Sequence, residues 1–210
     1  EYCIKNTEIL LNQNAKIIVV ACNTATTNAI KVLRDKYTIP FMGIEPAIKP
    51  ASLVTKTNNI GVLATKGTIQ SDLFEKTSAN IKSDIKIIEK VGDGLVDLIE
   101  KGNIESKEIE FLLKKYLNPM MEKNIDALVL GCTHYPYLIP SIRKIITNDI
   151  KIIDAGFAVA RQTKNILKKF NIAQIEEKSK TTHKFFSNKD TKVLSKLLYN
   201  YSVEILSKEF

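Results

Sequence analysis

The sequence has no tryptophan, only two histidines and only three cysteines in 210 residues, and each shortage closes off a class of function. Three widely spaced cysteines cannot build a disulfide framework. Free thiols last longest in a reducing compartment, so a cytoplasmic location is expected. With His134 and His183 as the sole histidines, and no C-x-x-C or H-x-x-x-H spacing, little is left for a metal centre, and none is expected. Arginine is scarce too: Arg34, Arg143 and Arg161 form no basic block. The longest apolar runs, such as 17–22, fall far short of the ~20 residues that span a bilayer, so no membrane partner is expected.

What the chain does have is ordinary for a globular protein: 44% hydrophobic and 26% charged residues. The net charge of +8 suggests nucleic acid. Yet the lysines are spread along the whole chain and interleave with acids, as in Lys107-Glu108-Ile109-Glu110. That pattern is a solvated surface rather than a phosphate track, and no nucleic-acid partner is expected.

Short apolar runs alternate with helix-period segments almost from end to end. Strands are predicted at 16–21, 41–44, 59–64, 85–89, 127–131, 151–154 and 184–186. Several are nearly continuous in Val, Ile and Leu, as suits parallel strands buried on both faces. Ile109, Leu112, Leu113, Tyr116 and Leu117 form a helical stripe. Helices are also predicted at 25–34, about 138–146 and 191–206, and the polar stretch 173–183 reads as a surface connection. Alternating strand and helix argues for α/β layers with right-handed crossovers. Pro40, Pro46 and Pro50 mark the chain's crossing between two domains.

One internal echo carries chemistry. Ile17-Ile18-Val19-Val20-Ala21-Cys22-Asn23-Thr24 resembles Ala127-Leu128-Val129-Leu130-Gly131-Cys132-Thr133-His134. Each is a buried strand, then a small residue, a cysteine and polar residues leading into a helix. Ligands of open α/β sheets bind beyond the carboxyl ends of such strands. Helix-start N–H groups there favour an anion, so a thiol's pKa is expected to fall towards neutrality. Asn23, Thr24 and Thr133 could hold a carboxylate beside it. Two such thiols facing one carbon acid could remove a proton from one face and return one to the other. Three alternatives remain open on the residues alone: buried structural cysteines, a zinc site through Cys132 and His134, and a cysteine nucleophile with a histidine base. Cys3 falls on the apolar side of an opening helix and carries no role.

Val20-Ala21-Cys22-Asn23-Thr24-Ala25 and Leu130-Gly131-Cys132-Thr133-His134-Tyr135-Pro136-Tyr137-Leu138 resemble the two signature motifs of the aspartate/glutamate racemase family. Gly43-Ile44-Glu45-Pro46-Ala47, Gly61-Val62-Leu63-Ala64-Thr65-Lys66-Gly67-Thr68 and Ile152-Ile153-Asp154-Ala155-Gly156 extend the likeness along the chain. The resemblance implies two pseudo-symmetric α/β domains with parallel-rich sheets and an active-site cleft between them. The corresponding division is 1–47 for a first domain, 48–154 for a second, and 155–210 for the return of the chain to the first. It implies cofactor-independent interconversion of L- and D-glutamate for peptidoglycan synthesis. By motif position Cys22 and Cys132 are the proton carriers, with His134 and Glu100 assisting. Asn23, Thr24, Thr65, Thr133 and His134 are substrate contacts. The partner is then a small molecule, glutamate, and a homodimer is compatible with this reading. Racemisation of another acidic amino acid such as aspartate is the alternative, and an inactive fragment serving only as a binding module is the other.

The chain departs from the family pattern in two places. Gly92-Asp93 stands where members carry Cys-Pro ahead of a helix bearing a glutamate near the site, which Glu100 still matches. The opening strand with Asp-Ser-Gly, and the Tyr-Gly loop after it, are not in this sequence, and the chain is therefore expected to show little turnover by itself.

Overall fold

The computed structural model describes residues 1–81, 83–173 and 183–209. Helix α1 (Tyr2–Asn12) leads into β1 (Ile18–Val20), α2 (Asn23–Lys36) and β2 (Phe41–Gly43). Strands β1 and β2 pair in parallel, Ile18 opposite Phe41. Ile18, Ile30, Leu33 and Phe41 form the small core beneath them, with Cys3 of α1 packed at its margin. Cys3 is therefore a partly buried apolar side chain, as its place on α1 led one to expect.

The chain then crosses through α3 (Ile48–Ser52) into a larger sheet. Its strands are β3 (Asn59–Ala64), β4 (Lys86–Val91), β5 (Ala127–Gly131) and β6 (Lys151–Ile153), in the order β4-β3-β5-β6 and parallel throughout. The crossovers are α4 (Lys66–Ile69) and α5 (Asp72–Ala79), then α6 (Leu95–Glu100) and α7 (Lys107–Met121), then a 3-10 turn at Tyr135–Leu138 with α8 (Ile139–Arg143). Period-two alternation assigns the two faces. Leu63, Leu128 and Leu130 pack with Leu95, Ile99, Leu113, Leu117 and Tyr135 in one core. Ile60, Val62, Ala64, Ala127 and Val129 pack with Ile48, Ala51 and Phe74 in the other. Every residue of β5 is buried, and its Ala-Leu-Val-Leu-Gly sequence has no polar side chain to satisfy.

Helix α9 (Gly156–Lys169) returns to lie against β2. Strands β7 (Lys184–Ser187) and β8 (Glu204–Ser207) close the chain as a separate parallel pair with α10 (Lys192–Leu197) between them. The fold is thus α/β with two lobes of parallel-rich sheet. Two sequence expectations are corrected. The helix predicted over 191–206 stops at Leu197, because Val203, Ile205 and Leu206 fall in or beside a strand that pairs with β7. The helix predicted near 138–146 is a 3-10 turn followed by one short helix, with Pro136 and Pro140 removing N–H donors at both starts. Of the connection predicted at 173–183, residues 174–182 lie outside the described residues.

Thr26, fully buried, ties α2 to both strands of the smaller sheet. Its hydroxyl donates to the Val20 carbonyl at 2.9 Å and accepts from the Ile44 N–H at 3.1 Å. Thr26→Val keeps the shape and removes both bonds, so it is expected to lower unfolding stability by roughly 1–3 kcal/mol. Urea denaturation of the two proteins measures this. A loss below about 0.5 kcal/mol, the range of surface substitutions, would show that the bridge matters little.

Candidate active site

Both echoed cysteines stand where their strands end. Cys22 follows β1 as the extended residue that caps α2, and its carbonyl accepts the Thr26 N–H at 2.8 Å. It is exposed, whereas Cys132, just beyond β5, is 7% exposed. Between the lobes lies a cavity of about 620 Å³. Leu130, Cys132, Thr133 and Pro136 line it from the larger sheet, and Val19, Ala21, Asn23 and Ile44 from the smaller. The side of α9 bearing Val159, Thr163 and Leu167 closes it.

Polar groups cluster on its Cys22 side. Asn23, the first residue of α2, is buried, and its side-chain Nδ2 has no hydrogen-bond partner among the described residues. Next to it the hydroxyls of Thr24, Thr65 and Thr68 form a triangle, with Oγ1 separations of 2.8, 3.2 and 2.9 Å. Thr65 caps α4, accepting the Thr68 N–H. The first turn of α2 reaches this triangle because Gly67 has no side chain: a Cβ there would stand 2.8 Å from Thr24 Cγ2. Three donors close together at two helix starts suit a carboxylate. The structure therefore brings Thr24 and Thr65 together beside Asn23 and adds the fully buried Thr68 to their hydrogen-bond network, which sequence reasoning missed. The signal was present: threonines three residues apart at a helix start bring the second hydroxyl back onto the cap.

The Cys132 side is built differently. His134 Nδ1 lies 3.9 Å from Cys132 Sγ, and its Nε2 lies 3.2 Å from Glu100 Oε1 at the end of α6. The two contacts use opposite nitrogens of one ring. The imidazole of His134 stands between the thiol and the carboxylate. Glu100 and His134, remote in sequence, thus meet at the thiol that the echo singled out.

The electrostatics of Cys132 correct one expectation. Its pKa is raised, chiefly by burial. The N–H groups of His134 and Tyr135 pull it down, while the charges of Cys22 and Glu100 push it up. The expected lowering by a helix start fails here because only a 3-10 turn follows the cysteine, while burial withdraws water from the thiolate.

Comparison with known proteins agrees with this geometry. The family model described as Asp/Glu/Hydantoin racemase matches residues 2–163. Glutamate racemase of Ralstonia pickettii is 46% identical over 154 residues, which cover 73% of this chain and 55% of that protein. This chain therefore matches little more than half the length of that relative. Among solved structures, glutamate racemase of Francisella tularensis subsp. tularensis in complex with D-glutamate superposes with a TM-score of 0.81 at 28% identity, covering 98% of this chain and 79% of that one. Escherichia coli glutamate racemase in complex with L-glutamate and an activator gives 0.77 at 29% identity, covering 92% and 74%. With the paired cysteines, the shared fold and a family match over most of its length, the chain belongs to the Asp/Glu/hydantoin racemase family.

Proposed function

We propose that the protein carrying this chain is an isomerase that interconverts L- and D-glutamate, with Cys22 and Cys132 as the two proton carriers and no cofactor. The observation that carries the reading is the pair of cysteines at equivalent strand ends: Cys132 lines the cavity, and Cys22 lies between Ala21 and Asn23, which line it too. Relatives solved with L-glutamate and with D-glutamate support glutamate as the substrate. The nitrogen of Asn23 and the hydroxyls of Thr24 and Thr65 hold the α-carboxylate, with the buried Thr68 hydroxyl bonded behind them, and Thr133 contacts the substrate from the other lobe. One cysteine, as thiolate, takes the α-proton. The electron pair is left on the α-carbon and delocalises into the carboxylate. The other cysteine, as thiol, delivers its proton to the opposite face, and the reverse reaction exchanges the roles. His134, oriented by Glu100, eases proton movement at Cys132 and contacts the substrate. Division of the chain at 47/48 and 154/155, a role in peptidoglycan synthesis and cytoplasmic placement belong to the same reading.

The active pair holds one proton in both directions, so kcat/KM is expected to be bell-shaped in pH with the same profile for either enantiomer. Burial of Cys132 places the alkaline limb above the ordinary thiol range, because activity is lost when the last thiol proton leaves. The reading is tested by polarimetry on an active form of the protein after chelation and treatment with a carbonyl-trapping reagent. Turnover of glutamate is expected to be unchanged and to exceed that of aspartate. A requirement for pyridoxal phosphate or metal, or preference for aspartate, contradicts it.

A further inference from the structure

Gly92 and Asp93, which depart from the family pattern, are held by two buried tyrosines. The Tyr135 hydroxyl donates to the Gly92 carbonyl at 3.2 Å, and the Tyr116 hydroxyl donates to the Asp93 carbonyl at 2.8 Å. The Gly92 N–H donates to the Ala64 carbonyl at 2.9 Å, one residue before Thr65 of the threonine triangle. Gly92 has to be glycine: a Cβ there would collide with Tyr135 Oη. Gly94 then takes a left-handed φ of 79° and starts α6, the helix that ends in Glu100. Tyr135 itself follows His134, its side chain is fully buried in the larger core, and its N–H bonds the Cys132 carbonyl at 3.1 Å. One residue therefore joins the turn bearing Cys132 and His134 to the turn that aims Glu100.

We propose that Tyr135 is a positioning residue for racemisation, its hydroxyl fixing the distance between these two turns so that His134 reaches Cys132 and Glu100 together. This rests on the two-thiol reading above. The Gly92 carbonyl also accepts the Leu95 N–H at 3.3 Å, so the Tyr135 hydroxyl is not needed merely to satisfy it. Its effect is geometric. The His134 ring stays 3.9 Å from the Cys132 sulfur only while the turn is held.

Tyr135→Phe deletes one oxygen and keeps the ring. In a Cys3→Ser, Cys22→Ser background, thiolate absorbance titrates Cys132 alone, with or without turnover. Tyr135→Phe is expected to move its midpoint upward by roughly half a unit, as the His134 ring loses its place beside the thiolate. Ile142→Val, another buried position in the same core, lowers melting temperature and is expected to leave that midpoint in place. In an active form, Tyr135→Phe is expected to lower kcat about five- to tenfold with KM nearly unchanged. In a Glu100→Gln background the same change should lower kcat less than about twofold, because the two act through one contact. A midpoint that stays or falls, an equal shift in Ile142→Val, or effects of Tyr135→Phe and Glu100→Gln that multiply would overturn the proposal. Absence of glutamate turnover in every form would count against the two-thiol reading instead, while the titration still decides the role of Tyr135.

Discussion

Cys22→Ser and Cys132→Ser are each expected to reduce glutamate racemisation by at least about a thousandfold, because a serine hydroxyl stays protonated near neutral pH and cannot act as the base. The two losses should be distinguishable in deuterium oxide. With Cys132 replaced, Cys22 can still remove and return a proton on its own face. Only the enantiomer presenting its α-hydrogen there should exchange it for deuterium, without inversion. With Cys22 replaced, the opposite enantiomer should exchange. Cys3→Ser serves as the control: Cys3 packs beside Ile18, Ile30 and Leu33, away from the cavity, and its loss should leave turnover within about twofold of the parent. Proton NMR of the α-hydrogen follows both exchange and racemisation. Full turnover in either active-site variant, or exchange of both enantiomers by one of them, would refute the assignment of one thiol to each face.

The second large effect concerns the free edge of β1. Among the described residues β1 hydrogen-bonds only to β2, and Val19 in its middle is 37% exposed, in a strand whose neighbours on the chain are apolar. The cavity runs along this strand, where Val19, Ala21 and Ile44 face Val159 and Leu167 of α9. A parallel strand is normally paired and covered on both sides. Adding a strand beside β1 would bond its open N–H and C=O groups and bury those apolar side chains. The chain preceded by such a segment is therefore expected to melt several degrees higher than residues 1–210 alone, an increment of about 4 °C or more corresponding to a few kcal/mol in a domain of this size. It is also expected to turn over glutamate at least about a hundredfold faster, since a misplaced or unassisted base costs on that order. Side-by-side circular dichroism melts and polarimetric assays decide the matter. Equal melting and equal turnover would show that the edge of β1 needs no further partner.

Much of the architecture could be read directly from the residues. Runs such as Ala-Leu-Val-Leu-Gly at 127–131 can satisfy burial on both faces only in the interior of a parallel sheet, and β3 and β5 occupy the predicted positions to the residue. The paired strand–cysteine–helix segments located both thiols without any knowledge of distance, because the carboxyl end of a parallel strand is where a loop must leave the sheet. The C-terminal segment was less legible. Leu194, Leu197, Leu198, Tyr201 and Ile205 recur at helical spacing, and only pairing with β7 makes Glu204–Ser207 a strand.

What the sequence determined by itself is therefore the α/β class, the strands other than β8 and the place of two cysteines at strand ends, since these follow from local periodicity and from residue chemistry. What the tertiary structure alone decided is how distant groups meet. Glu100 reaches His134 through the angle of α6, Thr68 joins Thr24 and Thr65 across the lobes, and Tyr135 rests on a carbonyl that only a glycine exposes. The tertiary structure also set the direction of the Cys132 pKa. Burial and neighbouring charge arise from packing between elements remote in sequence, and their sum outweighed the local preference that the motif suggested.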